Sequence, residues 1–384
     1  MNIAYVTGDD PHSLKSWSGL SYHIAESLKP HGAKINYLGP MQSADSAAMR
    51  LKRKFWGLLG KEILENREPS IVQSWGRQVA QKLRGADAEV ILATHTELLA
   101  EFEGDQPIAY WSDSNFGCML GAYPYFQRLN PFAIRRGHRY ERRALQRADL
   151  VFYACDWARE AAIRQYGVDP DKVKVIPFGA NIQCDRTVAD VERLIASRPT
   201  DRCNLLFLGK IWARKGGDTA VAVAEALNKS GLPTTLTLIG SQPPEGVTLP
   251  PFVRKTGFIN KADPAGLKQF NELIAESHFL ILPSRAEAFG IVFCEAASFG
   301  VPSLATRVGG IPTAVRDGGN GKTFPLDAPP ADYAEFIRQS FASYPAYTAL
   351  AKSAFREYET RLNWGVSGAT AMRHLQAMLE KRRR

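Results

Sequence analysis

The chain has 384 residues, more than one hydrophobic core usually serves, so two domains are expected. Hydrophobic residues make up 45% of it and charged residues 23%, which excludes a disordered or fibrous polypeptide. A net charge of +9 favours anionic partners, with nucleic acid, an acidic membrane surface and nucleotide phosphates all open at this level.

"MNIAYVTG" enters a buried-strand pattern directly, without the features of a signal peptide. The longest apolar runs, such as "HFLILP" (278–283), are far too short to span a bilayer. Strands are predicted at 2–8, 33–39, 88–94, 107–112, 150–155 and 173–179, with helices at 19–32 and 158–167 among them. The polar stretch 184–202 reads as a connector. Alternation then resumes: strand 204–209, helix 218–231, strand 234–240, a Pro-rich turn, strand 253–259, helix 264–277 and strand 279–283. After strand 301–306 come a Gly-rich loop and a long helical region. Alternating strand and helix predicts parallel sheets with crossover helices, hence two doubly wound α/β domains. Such sheets bind ligands at the carboxyl ends of their strands. Cys118, Cys155, Cys184, Cys203 and Cys294 form no CxxC pair, which predicts reduced thiols in a cytosolic protein and no structural zinc.

Two loops after strands carry chemistry. In "FLILPSRAEAFGIVFCEAASFG" (279–300), Glu287 falls in a loop and Glu295 within a helix that starts near Gly290. Glycine there lets the backbone approach a ligand, and an ionised carboxylate accepts from vicinal sugar hydroxyls. A surface loop followed by a solvated helix face is the competing reading. In "FLGKIWARKGGD" (207–218), Lys210 and Lys215 lie on a loop with Gly209, a cradle suited to a diphosphate, or else simply solvated charges. No GxxxxGK[ST] run exists, and no GxGxxG follows the first strand, which argues against a P-loop or a dinucleotide site.

Together "GKIWARKG", "PSRAEAFGIVFCEA" and "FGVPSLATRVGGIP" resemble the second domain of retaining glycosyltransferases of the GT-B fold, family-4 or group-1 type. "WSGLSYHIAESL" is similar to that family's glycine loop and first helix, and 148–181 to the end of its first domain. The resemblance implies two Rossmann-like domains facing a central cleft. Residues 1–185 would bind acceptor, 186–362 would bind donor, and a helix at about 363–384 would pack back on the first domain. It implies transfer of a hexosyl unit, with retention, from a nucleotide-diphosphate sugar (UDP- or GDP-linked) to an acceptor hydroxyl, in polysaccharide, glycolipid or small-molecule glycoside synthesis. Glu295 would hold the ribose, and Glu287 the transferred sugar beside the N–H groups of Phe289, Gly290 and Ile291. Lys210 and Lys215 would neutralise the diphosphate, which Gly19 would approach from the other domain. Phe258 and Ile259 would lie where the base is read.

Two departures stand out. Lys210 replaces the family's usual Arg, giving up a fork for a point charge. Ser18 stands where many relatives have a second glycine, predicting a stiffer loop. No metal and no cofactor are expected, since "WSDSNF" (111–116) has a single Asp and lysines supply the needed charge. Asp113 is the candidate for orienting the acceptor hydroxyl or acting as base, with a helix or turn cap as the alternative. Ser112 and His95 are further acceptor-side candidates.

"RLKRKFWGLLGKEIL" (50–64) reads either as a helix lying on an anionic membrane or as one packed on its own domain with a solvated basic face. "RRGHRYERRALQR" (135–147), with six arginines against one glutamate, fits an acceptor phosphate or water. A cytoplasmic enzyme is expected, with possible peripheral contact at the inner membrane face. The alternatives are a sugar-nucleotide epimerase of the same fold and a non-catalytic basic binding module; no nucleic-acid motif supports a DNA or RNA partner.

Overall fold

The computed structural model describes residues 1–43 and 46–383; Arg384, the end of the basic tail, lies outside them. The chain forms two compact units, one of Met1–Pro177 with the C-terminal helix Trp364–Arg383, the other of Phe178–Asn363.

The first unit is built on six parallel strands: β1 (Asn2–Val6), β2 (Lys34–Tyr37), β3 (Val90–Ala93), β4 (Ile108–Ser112), β5 (Leu150–Tyr153) and β6 (Val173–Val175). Their order is β2-β1-β3-β4-β5-β6. All residues of β3, β4 and β5 are buried, because crossover helices cover both faces of a parallel sheet. The winding reverses between β1 and β3, which leaves a crevice at their carboxyl ends. The C-terminal helix packs on the first helix, Leu20–Leu28, and Ser367 Oγ donates to the Pro177 carbonyl at 2.6 Å.

The second unit repeats the plan with β7 (Cys203–Leu208), β8 (Thr234–Ile239), β9 (Val253–Gly257), β10 (Phe279–Leu282), β11 (Ser303–Thr306) and β12 (Gly321–Phe324). The order β12-β11-β10-β7-β8-β9 reverses between β7 and β10. The loops that follow these two strands are the two singled out by their glutamates and lysines.

Three elements correct the reading of the sequence. The stretch taken as a connector contains the helix Val188–Ser197. Thr187 and Asp190 form a capping box, and Val191 and Ile195 bury one face, so a four-residue apolar spacing sufficed within a polar segment. Strand β12 lies outside the expected strands because "GKTF" follows the turn residues "DGGN" and holds a single large apolar side chain. The long C-terminal helical region is three helices, Pro330–Ala342, Tyr344–Thr360 and Trp364–Arg383, the first two opened by Pro330 and Pro345.

Candidate active site

In the second unit, β7 runs into Gly209 and then a short helical turn, Trp212–Lys215. Gly216 follows in the left-handed region at φ 75°, and a Cβ there would come within 2.1 Å of the Pro283 carbonyl oxygen. Only glycine fits, and the fit presses the loop after β7 onto the loop after β10. Lys215 lays its aliphatic stem against Gly209 and donates its ammonium group to Glu287 Oε2. Arg214 Nη1 lies 3.6 Å from the same oxygen and donates to the Ala286 carbonyl at 2.9 Å. Two cations therefore share one carboxylate. The Lys215 and Glu287 side chains are only 10% and 11% exposed, a desolvation that a bare ion pair does little to offset. Lys210 is exposed, with its ammonium 5.3 Å from the centre of the Phe258 ring.

The loop after β10 ends at Gly290, which caps the helix Ile291–Ala297 in a left-handed conformation. At seven residues this helix is too short for a large macrodipole, so its contribution is the local set of N–H groups at its start. The Phe289 ring is buried edge-on against Phe178 with centroids 5.6 Å apart, leaving the backbone as its functional part. Glu295 lies one turn into the helix, 1% exposed, and its Oε1 accepts from Lys261 Nζ. Lys261 belongs to the loop after β9. In that loop Phe258 is 68% exposed while Ile259 is buried, so one side chain of the expected base-reading pair faces solvent and the other faces the core.

In the first unit, Gly19 follows two residues that share its left-handed backbone, Trp17 at φ 45° and Ser18 at φ 57°. Ser18 thus takes a conformation that glycine would adopt more cheaply, at about 1–2 kcal/mol per non-glycine residue. The Trp17 ring lies 4.8 Å from that of His95, across the β1–β3 reversal, and His95 Nδ1 is 2.9 Å from Thr94 Oγ1. Ser112 is buried at the end of β4. Asp113 Oδ1 accepts from Ser114 Oγ at 3.1 Å. The next helix is capped by Asn115, which accepts from the Cys118 N–H at 3.1 Å.

Several residues at these sites have no motif to announce them. Arg214 is hidden beside Lys215, and Lys261 joins Glu295 only through the path of a loop. Next to His95, Glu97 is 3.0 Å from Arg67, which also contacts Glu141 at 2.7 Å; all three are buried. Burial alone would raise the Glu97 carboxyl, but the Arg67 guanidinium and His95 hold it below its ordinary range. Glu141 is the one acid of the arginine-rich stretch. Arg136 and Arg143 of that stretch pair with Glu68 and Glu101, so much of its charge is neutralised within the unit. Among the described residues, no group of three or more His, Cys, Asp or Glu side chains is placed to hold a metal ion. No helix among them is long and apolar enough to cross a membrane.

Two family models match the chain: "Glycosyl transferases group 1" over residues 202–342 and "Glycosyl transferase 4-like domain" over residues 71–179. The D-inositol 3-phosphate glycosyltransferase of Streptomyces scabiei (strain 87.22) is 32% identical over 237 residues, 58% of this chain and 52% of that protein. That of Streptomyces coelicolor (strain ATCC BAA-471 / A3(2) / M145) is 28% identical over 247 residues, 58% of this chain and 54% of that protein. The chain spans about half the length of the curated relatives it matches. Among solved structures, sucrose-phosphate synthase (tll1590) from Thermosynechococcus elongatus superposes with a TM-score of 0.71 at 18% identity, covering 99% of both chains. Anabaena Alr3699/HepE in complex with UDP-glucose does so with a TM-score of 0.63 at 16% identity, covering 98% of this chain and 100% of that one. At such identities the structures speak for the fold. The chain belongs to the group 1, family-4 type glycosyltransferases, on a GT-B fold.

Proposed function

We propose that the protein is a glycosyltransferase that moves a hexosyl unit from a nucleotide-diphosphate sugar to an acceptor hydroxyl, with retention and without a metal. The observation that carries this reading is the convergence of Lys215, Arg214 and Glu287 at the β7–β10 reversal, with Glu295 buried in the helix that follows the same loop. A sheet of this order binds nucleotides at that place. Two cations, Arg214 and Lys215, share the Glu287 carboxylate there, and Lys210 stands exposed earlier in the same segment, a positive surplus suited to a pyrophosphate. The nucleotide partners of neighbouring structures, UDP and UDP-glucose in HepE, agree with it.

Cleavage of the anomeric C–O bond leaves negative charge on the diphosphate and positive character on the sugar. Lys215, Arg214 and Lys210 stabilise the first, together with the N–H groups of Phe289, Gly290 and Ile291; each preorganised donor is worth about 2.7–4 kcal/mol. Glu287 accepts from hydroxyls of the transferred sugar while Lys215 holds it in place. Glu295 accepts from the ribose, and Gly209, Phe258 and Ile259 line the nucleotide. Gly19 is assigned to the diphosphate, and Asp113, Ser112 and His95 to the acceptor. The acceptor oxygen bonds to the anomeric carbon on the face the phosphate leaves, and its proton passes to the departing phosphate oxygen.

A thermal-shift panel of UDP-, GDP-, ADP- and TDP-sugars tests donor binding, since a ligand of the native state raises Tm. One nucleotide class is expected to raise it by several degrees, with turnover unaffected by EDTA. No shift with any member, or activity lost to EDTA and restored by manganese, contradicts the reading.

A further inference from the structure

The loop after β1 holds two adjacent residues in an unfavourable backbone state. Trp17 (φ 45°, ψ 39°) and Ser18 (φ 57°, ψ 25°) both occupy the left-handed region, and Gly19 follows at φ 82°. For a bulky side chain this is an outlier, and such outliers persist where the surroundings of a site hold them. The turn itself needs no aromatic. Its hydrogen bond runs from the Leu20 N–H to the Trp17 carbonyl, which glycine would supply without strain. What tryptophan adds is its ring. The indole is half-buried and tilted at 48° to the His95 ring, 4.8 Å away. β1 and β3 are neighbours in the sheet, so the two rings meet at the crevice outside their carboxyl ends.

The chemistry of the pair selects a ligand. The indole offers a broad apolar face with an electron-rich π cloud, and the imidazole offers a hydrogen-bonding edge. His95 Nδ1 is 2.9 Å from Thr94 Oγ1, and among the described residues nothing hydrogen-bonds its Nε2. A six-membered polyol ring matches both groups, because it presents C–H groups on a flat face and hydroxyls around its rim. An open-chain polyol has no such face. A nucleobase would stack on the indole too, but the cations a nucleotide needs, Lys210, Arg214 and Lys215, belong to the second unit. Residues 8–19 set Lys15 alone against Asp9 and Asp10.

We propose that Trp17 is the platform on which a cyclic polyol acceptor, a pyranose or cyclitol ring, is seated, with His95 Nε2 hydrogen-bonded to one of its hydroxyls. The indole fixes the plane of the ring, and the imidazole its rotation in that plane, so together they select which hydroxyl is presented for transfer. The inference rests on the proposed glycosyl transfer and names the class of its acceptor.

Saturation-transfer NMR on the full chain tests it with the methyl α-pyranosides of glucose, mannose and galactose and with myo-inositol, against open-chain sorbitol, each with and without nucleoside diphosphate. The wild type is expected to transfer saturation to the ring C–H protons of at least one cyclic probe and not to sorbitol. Trp17→Gly should weaken that binding about fivefold or more, the scale of an aromatic contact, while Trp17→Phe keeps most of it. His95→Phe, which keeps a ring contact but removes Nε2, should weaken it about threefold or more, the scale of a hydrogen bond. Because glycine relieves the backbone strain, the Trp17→Gly protein is expected to melt within about 3 °C of wild type, with its nucleotide-induced shifts retained. Transfer to no cyclic probe, equal transfer to sorbitol, or full binding by Trp17→Gly or His95→Phe overturns the proposal. So does a Trp17→Gly protein that loses its nucleotide shifts and keeps ring binding. Ring binding by the wild type without a shift from any nucleotide contradicts the transfer reading instead, and the acceptor role falls with it.

Discussion

Lys215 and Glu287 are 72 residues apart in sequence, and the ammonium of the first is hydrogen-bonded to the carboxylate of the second in a nearly water-free position. The contact exists because two parallel strands, β7 and β10, lie side by side and end at the same level. Removing either partner leaves the other charge buried. Lys215→Met and Glu287→Gln are each expected to destabilise the protein by about 2 kcal/mol, the range for broken buried pairs reduced for residual solvent. The double variant should cost less than their sum, a coupling that urea denaturation of all four proteins measures.

Glu295 is the more deeply buried of the two glutamates, and its charge is met by Lys261. Glu295→Gln is expected to weaken nucleotide binding about tenfold or more, the scale of a hydrogen bond to a charged group. Lys261→Met keeps the carboxylate but removes its donor, so the unliganded protein should melt lower. A nucleotide should raise its Tm by more than it raises the wild type's, because ribose hydroxyls replace the lost donor. Paired thermal-shift and calorimetric titrations separate the two effects.

The first unit carries its own buried cluster, one guanidinium between two carboxylates. Arg67→Met would strand Glu97 and Glu141 together, and a loss of about 3–5 kcal/mol is expected. Glu97→Gln/Glu141→Gln in the same background should recover much of it, which denaturation at neutral pH will show.

His278 gives a pH signature to the second unit. It is fully buried; its Nδ1 accepts from the Asn204 N–H at 3.0 Å and its Nε2 donates to the Pro199 carbonyl at 2.8 Å, so the ring is held neutral. Burial pushes its pKa down to about 4 from the ordinary 6.5, with Arg198 and Arg202 adding to the effect. The folded value lies below the unfolded one, so this contribution is complete above about pH 6.5 and is lost as pH falls from there towards 4. Up to about 3 kcal/mol disappears over that interval. Denaturation curves of wild type and His278→Gln should converge as the pH is lowered through it.

The strands were legible wherever apolar β-type runs met clear punctuation, as at "NIAYVTG" and "FLILPS", and their alternation with helices dictated parallel sheets. The loop carrying Glu287 was legible because a glutamate at the end of a buried strand is costly without a partner. That partner was not: which of Lys210, Arg214 and Lys215 reaches Glu287 depends on the left-handed turn at Gly216, a backbone choice no periodicity records. Lys261 was silent for a similar reason, since its contact crosses from one sheet loop to a helix 34 residues on. The helix Val188–Ser197 is faint in the sequence because polar residues outnumber its two buried ones, and only the Thr187–Asp190 spacing marks its start.

The central claim is that a pyrophosphate is held by the cations at the β7–β10 reversal. Calorimetric titration of nucleoside diphosphate and monophosphate of the preferred base, into wild type and into Lys215→Met/Glu287→Gln, tests it most directly, because the double variant removes the ammonium and its carboxylate together. The account predicts that wild type binds the diphosphate at least about tenfold tighter than the monophosphate and that the double variant loses most of this difference. Equal affinity of wild type for both nucleotides, or an undiminished preference in the double variant, would contradict it.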